Sequence, residues 1–456
     1  MRHVVVMTGT GSIGLISVFL VDVLNLYYIS LLGKEELSAA IGFAGTLLFF
    51  TLSIAIGLTI ATGALVSRAL GRGDRDAAAK AGGAALVWSF AIVGLFSAAA
   101  WPFIETMLAA LGARGRTLEL ATGYMQIVLP SSPLIAVGMG ASGILRGVGD
   151  ARRAMFITLF GAIVAAIADP ILIFWLDLEL TGAAIATVLS RLVILVVGLH
   201  GALVIHKLVR IADAPAMFAF AKPFFAIGVP AIMTQLATPI GNAYVTVEMA
   251  RFGDDAVAAW AVIGRLIPVA FGAIFALSGA VGPILGQNYG ARLHHRLYET
   301  MRDALIFTTV YALAAWALLA LFAHPIAGLF GATGETLKLI VFFCHFVAGS
   351  FLFNGALFVA NAAFNNLGHA VWSTVFNWGR ATLGTFPFVW VGAQWAGAQG
   401  VLAGWGLGAV MFGIASIIVC FRAIAKIESK AALVVEPLPD APSTAHSPFT
   451  SGKGSL

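Results

Sequence analysis

Charge is scarce in this chain. Asp, Glu, Lys and Arg make up 10% of its 456 residues, against about 25% in an average soluble protein. With 26 basic and 21 acidic residues, a body of this size cannot be covered by polar surface. A solvent that is itself apolar removes the requirement. Cysteine is nearly absent as well. Cys344 and Cys420 stand alone in apolar stretches, which excludes a disulfide framework and a thiolate metal site. There is no long basic face. The formal net charge of +5 is scattered through short loops, which excludes nucleic-acid binding. The chain enters an apolar segment directly, without a recognisable cleavable signal peptide.

What is abundant is apolar sequence: 60% of residues are hydrophobic, with 51 Gly and 16 Pro spread through them. A membrane-spanning helix needs about 20 mostly apolar residues. Twelve segments qualify: 8–31, 39–66, 82–108, 119–145, 153–176, 181–206, 218–249, 257–286, 303–328, 337–362, 370–393 and 398–422. They predict an all-α polytopic membrane protein, with twelve transmembrane helices in two pseudo-symmetric six-helix bundles. The division expected is 1–210 and 211–428, followed by a disordered polar tail at 429–456 that carries Pro437, Pro439, Pro442 and Pro448.

The loops give the orientation. One set carries Arg68, Arg72, Arg75 and Lys80, then Arg146, Arg152 and Arg153, then Lys207, Arg210 and Lys222, then Arg292, Arg296 and Arg302. The opposite set is poorer in Lys and Arg. The bias places the basic set, and both termini, in the cytoplasm.

The halves repeat. ATGALVSRALGRGDR at 61–75 lies over AVGPILGQNYGARLH at 280–294, pairing Gly71 with Gly290 at an offset of 219. ASGILRGVGDA at 141–151 lies over ANAAFNNLGHA at 360–370 at the same offset, pairing Gly149 with Gly368. Six spans per repeat keep both copies in one orientation, the parallel arrangement of an alternating-access transporter. No carbonyl-filter signature or ring-forming charge repeat suggests a channel. Gly71 and Gly290 are expected to give tight helix exits, through positive φ and close backbone approach.

Gly9, Gly11 and Gly14 spell a G-x-G-x-x-G. A nucleotide site would need a strand before it and a βαβ unit around it. A spanning segment follows instead, and small residues for close helix packing account for the glycines.

Two carboxylates lie inside spans: Asp22 in the first and Asp169 in the fifth. A buried carboxylate is costly as an anion and marks an ion or proton path. Neither has an acidic counterpart in the second half, which points to one cation or proton coupling site. The competing readings are a structural helix–helix hydrogen bond at Asp22 and, at Asp169, compensation for the backbone distorted by Pro170. Candidate substrate-pathway groups are Asn25, Tyr28, Tyr124, Gln126, Arg191, Asn242, Arg265, Asn354 and Asn361. Arg191 has two further readings, an acid partner or a side chain reaching for the interface.

The segments FLVDVLNLYYISLLGKEELSAAIGF, ALVSRALGRGDRDAAAKA, ILRGVGDARRAMFITLFGAIVAAIADPILIF and GPILGQNYGAR resemble the multidrug and toxic compound extrusion family over nearly all of residues 1–425. The resemblance implies twelve helices in two lobes, exporting drugs or metabolites against inward H⁺ or Na⁺ flow. It places Asp22 and Asp169 at the family's cation-site carboxylates. Many bacterial members have Asn four residues before the second acid; here that position is Ala165, which tilts the expectation to protons.

The function expected is a cation-coupled antiporter, H⁺ favoured over Na⁺, exporting small organic, cationic or amphipathic drugs or metabolites. It is a secondary transporter rather than an enzyme, has no cofactor beyond the transported ion, and acts as a monomer in the cytoplasmic (inner) membrane. A flippase for a lipid-linked saccharide is the alternative, disfavoured by twelve spans and few intramembrane arginines. A scaffold or receptor would leave the duplicated bundle and internal acids without a role.

Overall fold

The computed structural model describes residues 2–30, 32, 34–211 and 213–434. Among them, every regular element is helical. The first ten spans are Arg2–Ser30, Glu35–Gly71, Arg75–Ala110, Gly115–Val148, Ala151–Trp175, Glu179–Ile205, Ala214–Ala250, Asp254–Gly290, His295–Leu321 and Gly334–Asn366. A last apolar stretch, Ala370–Ser429, turns back on itself. Ala396 and Gly397 leave helical geometry there, with Gly397 at φ 58°, so the stretch makes the eleventh and twelfth spans. The final helix runs on to Val434, six residues into the segment expected as a disordered tail. The remainder of that tail, 435–456, lies outside the described residues.

Prolines accompany three local departures from α-helix, because each lacks an N–H and crowds the preceding turn. Pro130 lies in a 3₁₀ turn, Leu129–Ser131, that interrupts the fourth span. After Pro170 the fifth span continues as a π turn, Ile171–Trp175. Phe271 (φ −115°, ψ 17°) kinks the eighth span three residues after Pro268. Outside the spans, Asp150 caps the fifth helix by accepting the Arg153 backbone N–H and meets His206 Nε2 at 2.8 Å. Burial would push the Asp150 carboxyl up, but hydrogen bonds from Arg153 and His206 outweigh it and hold the group below its ordinary value.

The duplication is written into the backbone. Residues with positive φ recur at the sequence offset of 219: Gly73 (77°) with Arg292 (57°), Gly112 (108°) with Gly331 (64°), Gly115 (51°) with Gly334 (57°), and Gly149 (93°) with Gly368 (88°). Left-handed geometry is costly for residues with a Cβ, so its recurrence marks equivalent turns rather than chance.

Gly71 and Gly290 act differently from expectation. Each is the last helical residue of its span, and the left-handed turn falls two residues later, at Gly73 and Arg292. Only the close-approach half of the expectation stands, and the two glycines meet across the bundles. A Cβ on Gly71 would overlap the Gln287 carbonyl, and one on Gly290 the Arg68 carbonyl. Around this crossing, Arg68 donates from Nε to the Asn366 carbonyl and from Nη2 to the Asn365 carbonyl, both at 2.8 Å. Gln287 Nε2 donates to the Gly147 carbonyl at 2.7 Å. These groups adjoin the loops of Arg72, Arg152 and Arg292. The bundles are therefore sealed at their basic end. Close approach continues to Gly57 against Ile232 and Gly11 against Ala276. Farther toward the other end, a Cβ on Gly42, Gly45 or Gly264 would meet no atom within 4 Å, and we read this end as the mouth of a cleft between the bundles.

Arg68 supplies two charge-assisted bonds to this seal, each worth about 1.5–3 kcal/mol. Ser67 is fully buried behind Gly286. In an Arg68→Ala background, maleimide labelling of Ser67→Cys should speed up by about tenfold or more, since about 1.4 kcal/mol is a factor of ten. Equal rates with and without Arg68 would contradict a seal at this end.

Candidate functional site: a buried carboxylate beside the interbundle cleft

The first and fifth spans pack together, and a polar pair joins them. Asn25 Nδ2 donates to Asp169 Oδ2 at 3.0 Å. Asp169 is 1% exposed, and its Oδ1 is buried with no hydrogen-bond partner among the described residues. Among the described residues this carboxylate is half satisfied, and a buried carboxylate of that kind is costly as an anion. Asp22 lies on the first span one turn before Asn25; its side chain is outside the described set. Ala165, buried one turn before Asp169, offers no side-chain oxygen. One turn beyond Asn25, Tyr28 stands edge-on to Phe174, ring centroids 6.1 Å apart at 89°.

A second seam joins the fourth and sixth spans. Tyr124 Oη and Thr187 Oγ1 are 3.3 Å apart. One turn on, Arg191 Nη1 donates to the Val128 carbonyl at 2.8 Å, Ser131 Oγ at 2.9 Å and Ser132 Oγ at 3.2 Å. Of the readings open in the sequence, Arg191 takes neither an acid partner among the described residues nor an interfacial position. It is buried and braces the backbone that Pro130 interrupts.

The remaining candidates are not gathered here. Gln126, Asn242 and Arg265 are exposed. Asn354 and Asn361 are buried in the tenth span, in the other bundle, and Asn361 Oδ1 has no described partner. Asn242 has a defined bearing, however. Gly228 packs on Leu58 and Ala61, and Ile232 on Gly57, so these positions mark the face of the seventh span turned to the second. At 100° per residue, Asn242 continues that face beyond the closed zone.

One buried charge was passed over in the sequence. Arg380, in FNWGRATLG of the eleventh span, is 6% exposed. Its Nη2 donates to Thr238 Oγ1 at 3.0 Å, and its Nε has no acceptor among the described residues. Its signal was the one that singled out Arg191, an arginine inside an apolar run.

The MatE family model matches residues 12–171 and again residues 230–391. The chain belongs to the MatE family. The double match falls on the two halves that the glycine offset relates, one per bundle. The MatE chain is 30% identical to the FAD transporter of Shewanella oneidensis over 409 residues, 88% of this chain and 90% of that one. It is 23% identical to the multidrug export protein MepA of Staphylococcus aureus over 369 residues, 80% and 81% of the two chains. Among solved structures, the Vibrio cholerae MATE transporter VcmN, in a point-mutant form, superposes with a TM-score of 0.88 at 26% identity, covering 96% of this chain and 97% of that one. A MATE transporter described in an outward-facing conformation has the same fold at a TM-score of 0.88, with 23% identity and coverage of 94% and 96%. This protein is thus a multi-pass membrane transporter of an efflux family.

Proposed function

We propose that this MatE protein is a proton-coupled antiporter that exports an amphipathic organic solute across the cytoplasmic membrane, with both termini inside. The coupling runs through Asp22 with Asp169 as its helper, and the observation that supports a site at this seam is Asp169: buried, held by Asn25 on one oxygen, and without a described partner on the other. A proton completes such a group at once. A sodium ion would need several oxygens around it, as hard cations do, and Ala165 withholds one. The relatives named above carry FAD and multiple drugs, and FAD is itself a polar molecule with planar aromatic rings. A cleft closed at the basic end and parted at the other supports alternating access by rocking of the two bundles.

The test is flux of fluorescent organic solutes into sealed vesicles, with a pH gradient and a Na⁺ gradient imposed separately. The pH gradient alone should drive accumulation. Accumulation driven only by Na⁺ would overturn the coupling ion.

A further inference from the structure

Arg191, Arg68 and Arg380 are arginines inside spans, and their hydrogen bonding differs. Arg191 is braced by three acceptors and Arg68 by two carbonyls. A guanidinium has five N–H donors, and these two have the bonding of structural clamps. Arg380 is as buried, yet its one hydrogen bond among the described residues is to Thr238 Oγ1, and its Nε is left without an acceptor. No carboxylate pairs with it among the described residues. Glu248, the buried acid of the same bundle, has its Oε2 3.0 Å from Arg251 Nη1, an ion pair without hydrogen-bond geometry. Leaving a buried charge unpaired is costly, so the arrangement calls for a partner that is not always present.

The position suits a partner from the cleft. Thr238 is exposed. It lies on the seventh span six residues beyond Ile232, which packs on Gly57 of the other bundle, or about 9 Å farther along the axis. On the helical wheel it falls between the face packed on the eleventh span, marked by Thr234 and Gly241, and the cleft-facing side of Asn242. Arg380 therefore reaches the floor of the cleft along the edge of the seventh span, with two exposed polar side chains, Thr238 and Asn242, one turn apart beside it.

We propose that Arg380 is a docking point for an oxyanion, a carboxylate or phosphate carried by the exported solute. The inference rests on the export reading above and specifies its cargo: an organic amphiphile with an anionic group, held in the second bundle while the first bundle handles the proton. The planar guanidinium matches such oxyanions through paired N–H bonds, and Thr238 holds its Nη2 in place.

Purified full-length protein in lipid nanodiscs can be titrated with FMN and riboflavin, which share a ring and differ by a phosphate, following flavin fluorescence. Wild type should bind FMN at least about tenfold tighter than riboflavin, as expected for a charged hydrogen-bonded contact, and inorganic phosphate should compete with FMN. Arg380→Gln should bring the FMN-to-riboflavin ratio to about one, and Arg380→Lys should restore part of it. A structural arginine would instead weaken both flavins in proportion and preserve the ratio. A preserved ratio, equal binding in wild type, or no flavin binding at all would each overturn the proposal. Should Arg380→Gln fail to fold, phosphate competition on the wild type decides, and no competition overturns it. Loss of pH-driven flux with the FMN preference intact would sink only the coupling reading, so the two failures are distinct.

Discussion

Asp22→Asn should fold, insert and bind solute, yet lose flux driven by a pH gradient by about a hundredfold, near the upper range of ordinary coupling free energies. The substitution keeps the size of the side chain and, on the proposed mechanism, removes the carboxyl that exchanges the proton. It also removes a charge from an apolar setting, so stability should not suffer. Asp169→Asn should be impaired less, by about tenfold on the same scale, because Asn25 still finds a side-chain oxygen at that position. Linkage makes the consequence reciprocal: a proton that lowers solute affinity must itself bind less well when solute is present. Solute binding to wild type should therefore depend on pH, and that dependence should flatten in Asp22→Asn. Flux in proteoliposomes under an imposed pH gradient, beside equilibrium binding across pH, measures both. Normal pH-driven flux in Asp22→Asn would remove Asp22 from the mechanism.

The second large effect is on folding. Gly400, Gly404 and Gly408 form a G-x-x-x-G-x-x-x-G stripe on the twelfth span. The Ala396–Gly397 break folds that span against the eleventh so closely that a Cβ on Gly400 would overlap the Gly392 carbonyl. One on Gly404 would overlap that of Phe388, and one on Gly408 that of Gly384. The obstructing atoms are backbone and cannot rotate away. In lipid, helices associate through such close packing rather than through exclusion of water. Overpacking a tight core costs about 1–3 kcal/mol, and a branched chain against backbone belongs at or above the top of that range. Gly404→Leu should lower the thermal midpoint in detergent by several degrees or prevent recovery of monodisperse protein. Gly42→Ala faces open space and should leave it unchanged or slightly raised, since Ala favours helix over Gly by about 1 kcal/mol. A Gly404→Leu midpoint equal to that of wild type would show that the hairpin is not packed this way.

The same glycines show where reading the sequence stopped short. The stripe is plain in the sequence, but a run of small residues there does not say which helix it meets. Gly149 and Gly368 could be paired from the offset alone, because glycine is the residue that a left-handed turn favours and both copies carry it. Gly71 and Gly290 could be paired but not interpreted. Their role is contact between two helices 219 residues apart, which no local pattern encodes.

The sequence by itself determined the number of spans, their all-helical nature and the duplication. Each follows from local physics: a bilayer of fixed thickness demands about 20 apolar residues per crossing, and a backbone in lipid must satisfy its own hydrogen bonds. It also singled out Asp169, because an acid inside an apolar run is conspicuous wherever the helix packs. The tertiary structure decided which polar groups meet. Only the packing of the first span on the fifth brings Asn25 to Asp169, only the seam of the fourth and sixth turns Arg191 into a brace, and only the junction of the seventh and eleventh leaves Arg380 with an Nε unmatched among the described residues. Whether a buried charge is satisfied depends on atoms brought to within about 3 Å by distant parts of the chain, and that depends on how the helices pack, not on any one of them alone.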